Sequence, residues 1–302
     1  MILNETYRLP GGAELPKVGL GVWMIPDGEA SGAVKAAVDL GYRHIDTAQA
    51  YGNESGVGEG VRTCGVPRAE LFVTSKVAAE NKTYESAARS IDESLKKTGL
   101  DYLDMMLIHS PQPWAEFRGE RRYFAENREV WRAMEDALRA GKVRAIGVSN
   151  FLEDDLQSLL ADCTVKPAVN QVLCHISNTP LELLAFCKEQ GILCEAYSPI
   201  AHGEALKNPA VAAMAEKYAV TPAQLCIRYV LQLGMVALPK TANPAHMADN
   251  ARVDFRISGA DMEVLKHLEK IKDYGAVSYT HLDVYKRQDY GEFSFFPVFS
   301  GK

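Results

Sequence analysis

Eight short apolar runs rich in β-branched and aromatic residues recur along this chain with amphipathic stretches between them, and few folds accommodate that alternation. The runs are VGLGVW (18–23), RHIDTA (43–48), LFVTSKV (71–77), DMMLIHS (104–110), AIGVSN (145–150), AVNQV (168–172), LCEAYSP (193–199) and VALPK (236–240). Between them, segments around 30–40 and over 83–98, 128–140, 180–189 and 222–233 place apolar residues at helical spacing. The last two open on Thr179-Pro180 and Thr221-Pro222, pairs suited to an N-cap and a first helical turn. Strand–helix alternation over the whole length argues for a parallel sheet, and eight repeats favour closure into a barrel. The expected fold is α/β: a single (β/α)8 TIM barrel with its active site at the C-terminal mouth.

At 302 residues, with 47% hydrophobic and 24% charged residues, the chain can bury a large core. No Gly/Ser-rich linker divides it, so residues 1–302 are read as one domain. Ahead of the first repeat, TYRLPGGAELPKV (6–18) alternates on both sides of Gly11 and Gly12, which predicts a β-hairpin able to plug the barrel's N-terminal end. The net charge of −6 gives no basic footprint, so neither nucleic acid nor a membrane surface is expected as a partner. There is no basic-then-apolar leader and no run of 18 apolar residues. The six cysteines lack metal-ligand spacing and read as reduced thiols of a cytoplasmic protein. No metal is expected.

In a parallel barrel the chemistry sits where strands run out into loops. Asp46 ends HID, Lys76 ends FVTSK, His109 ends MMLIH, and Tyr51 lies five residues beyond Asp46. A phenol is a poor acid at neutral pH, but a nearby ammonium stabilises the phenolate, and Lys76 can supply that charge. Asp46 beside it would keep a buried lysine charged. His109 would then polarise a carbonyl oxygen. Each residue has an ordinary alternative: a cap, packing, a surface lysine, a core histidine. Together at three successive strand ends they favour function, because lysine and histidine are costly to bury in apolar runs. A Schiff-base aldolase would want Lys76 neutral, which Asp46 opposes. A metal-dependent hydrolase lacks a His-x-His strand end, His44 reading as packing, and a cofactor-binding regulatory subunit would not need the four residues intact.

With GYRHIDTAQAYGNE, LFVTSKV, DYLDMMLIH, GKVRAIGVSNF, AVNQV, EAYSPI and LPKTANPAHMADN in this order, the chain resembles the aldo-keto reductases from Val18 to about Gly275. The resemblance implies reduction of an aldehyde or ketone to an alcohol, with hydride from C4 of a nicotinamide and a proton from Tyr51, supported by Asp46, Lys76 and His109. It implies NADPH across the barrel mouth. Ser149, Asn150 and Gln171 would bind the carboxamide, Tyr197 would stack on the ring and Ser198 would begin the loop over the pyrophosphate. Lys240, Thr241, Asn243, His246 and Asn250 would surround the adenosine 2′-phosphate, and Gly21 and Val22 would touch the cofactor from the first strand. The glycines of SGVGEG (55–60) do not form GxGxxG, so a Rossmann reading fails. The protein is expected to act as a monomer, with a weak dimer as the alternative.

The chain departs from the family pattern at three places. His246 stands where many NADPH-specific members carry arginine, and an imidazole cannot make the bidentate phosphate fork, so NADH use is also expected. Ser110 follows His109 where the family often has tryptophan, giving a smaller or more polar pocket wall, with Trp23 and Trp114 as the other substrate contacts. Residues 276–291, containing AVSYTHLDVYKRQ, interrupt the tail between two DYG copies, and excising them restores IKDYGEFSFFPVFSGK. They are read as an artefactual insertion rather than as a native loop.

Overall fold

All eight expected strands are present, in one parallel sheet whose order is the order of the sequence. The structure, a computed structural model, describes residues 1–271. The chain opens with β1 (Thr6–Arg8) and β2 (Glu14–Pro16), paired antiparallel with Tyr7 opposite Leu15. Gly11 and Gly12 both take φ of 89° at the turn, a backbone that a side chain rarely adopts. Leu9 and Leu15 are buried in one cluster with Phe72, Met105, Val169 and Val236 from the barrel's entering strand ends, so the hairpin plugs the N-terminal end as its alternation predicts.

The barrel strands are β3 (Leu20–Gly21), β4 (His44–Asp46), β5 (Phe72–Val77), β6 (Leu103–Ile108), β7 (Val143–Ser149), β8 (Val169–Leu173), β9 (Leu193–Tyr197) and β10 (Val236–Leu238). Parallel bridges from Val18 to Ala237 and from Gly21 to Lys240 bring the last strand back to the first. Around them lie α1 (Asp27–Asp39), α2 (Glu54–Thr63), α3 (Tyr84–Thr98), α4 (Phe124–Arg139), α5 (Glu153–Leu160) and α6 (Leu181–Gln190). The rest are α7 (Glu204–Lys207), α8 (Pro209–Lys217), α9 (Pro222–Gln232), α10 (Pro244–Asn250) and α11 (Gly259–Lys266). Among the described residues no helix is long and apolar enough to cross a membrane. The insertion read at 276–291 lies outside the described residues.

Local signals explain several boundaries. Thr83 caps α3 by accepting from the Ser86 amide, and Gly99 ends it at φ 63°. Thr221 caps α9, with Pro222 in the first turn and Gln224 closing the capping box. Thr179-Pro180 does not behave in that way. Pro180 itself occupies the cap of α6, and the Thr179 hydroxyl bonds Tyr229 at 2.6 Å, so a tertiary partner takes the capping group away from the helix.

Helix α2 carries the SGVGEG glycines, poor helix formers whose reason is packing. A Cβ on Gly56 would overlap the Asp27 carbonyl of α1, one on Gly60 would stand 2.7 Å from the Val34 Cβ, and one on Gly58 would overlap the Thr98 carbonyl of α3. The missing side chains let α2 wedge between its neighbours. Gly58→Ala is therefore expected to lose about 1–3 kcal/mol despite alanine's better helix propensity. A urea midpoint at or above that of the unmodified protein would contradict this packing account.

Candidate active site

Asp46 is the last residue of β4 and pairs in register with Thr74 of β5. Lys76 lies two residues past Thr74, on the same face, so its side chain turns into the barrel beside Asp46. The ammonium donates to Asp46 Oδ1 at 2.6 Å, to the Thr47 carbonyl at 2.8 Å and to the Tyr51 hydroxyl at 3.4 Å. Those three bonds use all the donors a lysine has. Lys76 is fully buried, and the Asp46 side chain is 6% exposed. Tyr51 is reached through a single helical turn after β4, Gln49–Tyr51, which Gly52 ends at φ 68°. His109 follows β6 directly and packs edge-on to Tyr51, with ring centroids 5.5 Å apart. The three strand-end residues and Tyr51 therefore converge.

Burial works against charge on Lys76, but the attraction of Asp46, with Tyr51 adding to it, outweighs burial and holds the lysine above its ordinary pKa. Tyr51 departs from expectation. Burial pushes the phenol up, and although Lys76 pulls the other way as the sequence suggests, it does not win. The hydroxyl thus keeps its proton at neutral pH, the state required of a proton donor.

Asp46, Tyr51 and His109 line a cavity of about 280 Å³ together with Trp23, Trp114, Gly21, Ser149, Asn150, Gln171, Tyr197, Ser198 and Lys240. Ser149 Oγ donates to the Gln171 carbonyl at 2.9 Å. Asn150, in the left-handed region at φ 64°, donates to the His109 carbonyl at 3.0 Å and accepts from the Tyr197 hydroxyl at 2.9 Å. Trp114 stands edge-on to His109 with centroids 5.0 Å apart. A second cavity of about 460 Å³ lies across Tyr197 and Asn150, and none of Asp46, Tyr51, Lys76 and His109 lines it.

Other expected contacts lie away from the smaller cavity. Ser110 is fully buried, and its hydroxyl accepts from the Gln112 amide, so Trp114 rather than Ser110 forms that wall. Val22 is packed in the core. Thr241 Oγ1 accepts from the Asn243 amide, Asn243 caps α10, His246 is exposed on that helix and Asn250 is buried at its end.

Sequence reasoning missed several participants. His202 lines the cavity and lies 5.5 Å from Trp23, ring to ring. The backbone at 109–111 is pinned carbonyl by carbonyl: Asn150 donates to His109, Lys82 to Ser110 and Asn127 to Pro111. Glu195, two residues before Tyr197, accepts from Gln171 Nε2 at 2.9 Å. Its place on the same face of β9 as Tyr197 was readable from strand alternation. Nothing in the local sequence announced the Lys82 and Asn127 contacts, which join three separate loops and helices.

The model of the aldo/keto reductase family matches residues 16–272. Glyoxal reductase of Bacillus subtilis is 43% identical over 275 residues, covering 90% of this chain and 96% of its own. An aldo/keto reductase crystal structure from Brucella melitensis superposes with a TM-score of 0.80 at 38% identity, covering 86% of this chain and 98% of its own. An aldo-keto reductase from Bombyx mori, solved in complex with NADP, gives 0.81 at 30% identity, covering 93% and 96%. With the matching strand order and the converged strand ends, these likenesses show that the chain belongs to the aldo/keto reductase family.

Proposed function

We propose that this protein reduces small aldehydes or ketones to alcohols with a reduced nicotinamide cofactor, and that Tyr51 donates the proton. The observation that carries the reading is the buried Lys76–Asp46 pair, whose ammonium lies 3.4 Å from a phenol opening on a cavity walled by Trp23 and Trp114. A bound nicotinamide supplies the hydride. The residues present fit such a group: Gln171, Asn150 and Ser149 offer amide and hydroxyl partners for a carboxamide, beside the flat face of Tyr197. Lys240 at the cavity's edge offers positive charge to a phosphate, with Thr241, Asn243, His246 and Asn250 on the segment that follows. His109 orients the carbonyl oxygen toward the Tyr51 hydroxyl. Lys76 stabilises the phenolate left when that proton departs. Its ammonium, held charged with every donor engaged, does not suit Schiff-base chemistry.

Glyoxal reductase as a relative supports a small carbonyl substrate, and the Bombyx mori complex supports NADPH. The reading is tested with a panel of aldehydes and ketones, glyoxal included, following oxidation of NADPH and NADH in parallel. NADPH is expected to be preferred, by less than about a thousandfold in kcat/KM, because an imidazole at 246 lacks the guanidinium fork. A larger ratio would remove His246 as the explanation, and no oxidation of either cofactor with any carbonyl would remove the reading itself.

A further inference from the structure

Glu195 lies in β9 between Gln171 of β8 and Val236 of β10, with its side chain inside the barrel and none of its surface exposed. One oxygen accepts from Gln171 Nε2 at 2.9 Å, while Oε1 has no hydrogen-bond partner. The same Gln171 nitrogen donates to Asp46 Oδ2 at 2.8 Å. A hydrogen-bonded chain therefore runs from Glu195 through Gln171, Asp46 and Lys76 to Tyr51. The charged groups that face Glu195 are Asp46 from β4 and Lys76 from β5. On its own strand Cys194 faces the opposite way, and from β10 Val236 is apolar.

Two carboxyls thus share one ammonium in a closed interior. Asp46 holds Lys76 directly, so an ionised Glu195 would be a second negative charge with one hydrogen bond and no cation of its own. We propose that Glu195 is a positioning residue for the proton donor: neutral, it leaves Asp46 as the sole counter-ion of Lys76, and its ionisation tightens the hold of Tyr51 on its proton. Burial first, and then the charge of Asp46, push the Glu195 carboxyl up to about 8, which places the transition in an accessible range. Above it the added negative charge disfavours phenolate, so proton release slows. This inference rests on the reading of Tyr51 as the donor.

The test is Glu195→Gln, which keeps the shape and the acceptor oxygen but cannot ionise. In the unmodified protein kcat for carbonyl reduction is expected to fall with an alkaline limb near the Glu195 transition. In the variant that limb is expected to move up by about one pH unit or more. An unmoved limb overturns the coupling to Tyr51.

Thermal unfolding of the two proteins across pH 5 to 9, read without substrate, tests the neutral carboxyl independently of turnover. A carboxyl whose pKa is raised on folding contributes stability that is complete below its unfolded value and lost as pH rises through the folded one. The Tm of the unmodified protein is therefore expected to fall against that of the variant between pH 5 and 8. A gap that stays constant overturns the proposal. Should no carbonyl be reduced at all, the reductase reading fails while the unfolding comparison still decides the state of Glu195. Glu195→Met serves the same comparison if the glutamine variant does not fold.

Discussion

Replacing Tyr51 with phenylalanine is expected to leave a folded protein whose kcat for carbonyl reduction is lower by about two to four orders of magnitude. The change removes one hydroxyl whose hydrogen bond to Lys76 spans 3.4 Å, the longest of the three that the ammonium makes. Asp46 and the Thr47 carbonyl continue to hold the lysine, and the phenyl ring keeps the edge-on contact with His109. Stability should therefore change little, and nicotinamide binding, followed by fluorescence, should persist because its partners line other parts of the cavity. A variant with ordinary kcat would show that the proton comes from elsewhere.

Lys76→Met is expected to fail on two counts. Methionine is close to lysine in length, so the loss is mainly charge. It strands the Asp46 carboxylate in the barrel with Gln171 as its remaining side-chain partner, and breaking a buried pair from one side costs about 3–5 kcal/mol. Chemical denaturation should show that loss as a lower midpoint at unchanged slope, and turnover should fall with the phenolate's stabilising charge. The double variant Lys76→Met/Asp46→Leu separates the two effects. Removing both charges together leaves no unpaired carboxylate, so part of the stability is expected to return while activity does not. If the single variant lost under about 1 kcal/mol, the pair would be too well solvated for the role assigned to it.

The pairing of Lys76 with Asp46 was legible because both close apolar runs, and parallel register then carries them together: Thr74 is the partner of Asp46, and Lys76 is the next residue on that face. Tyr51 was legible from its distance to the strand end. Its proton affinity was not. The sign of that shift depends on how far desolvation outruns the lysine, and burial is a property of everything around the ring. The same limit applies to Ser110, which sequence places beside His109 but which the loop turns away from the cavity, leaving Trp114 as the wall. Thr179 likewise carries a sound capping signal and spends it on Tyr229, fifty residues away.

By itself the sequence determined the eight parallel strands, their order, the hairpin plug and the strand ends from which a site could be built. These follow from periodicity, turn chemistry and capping, which act over a few residues and are written locally. Only the tertiary structure decided what those side chains do to one another. It set the three-bond grip on Lys76, the glycine wedge of α2, the buried second carboxyl of Glu195 and the face of the loop after His109. Each depends on atoms brought together from distant parts of the chain, where the low dielectric of a closed interior makes charge and hydrogen-bond partnership decisive.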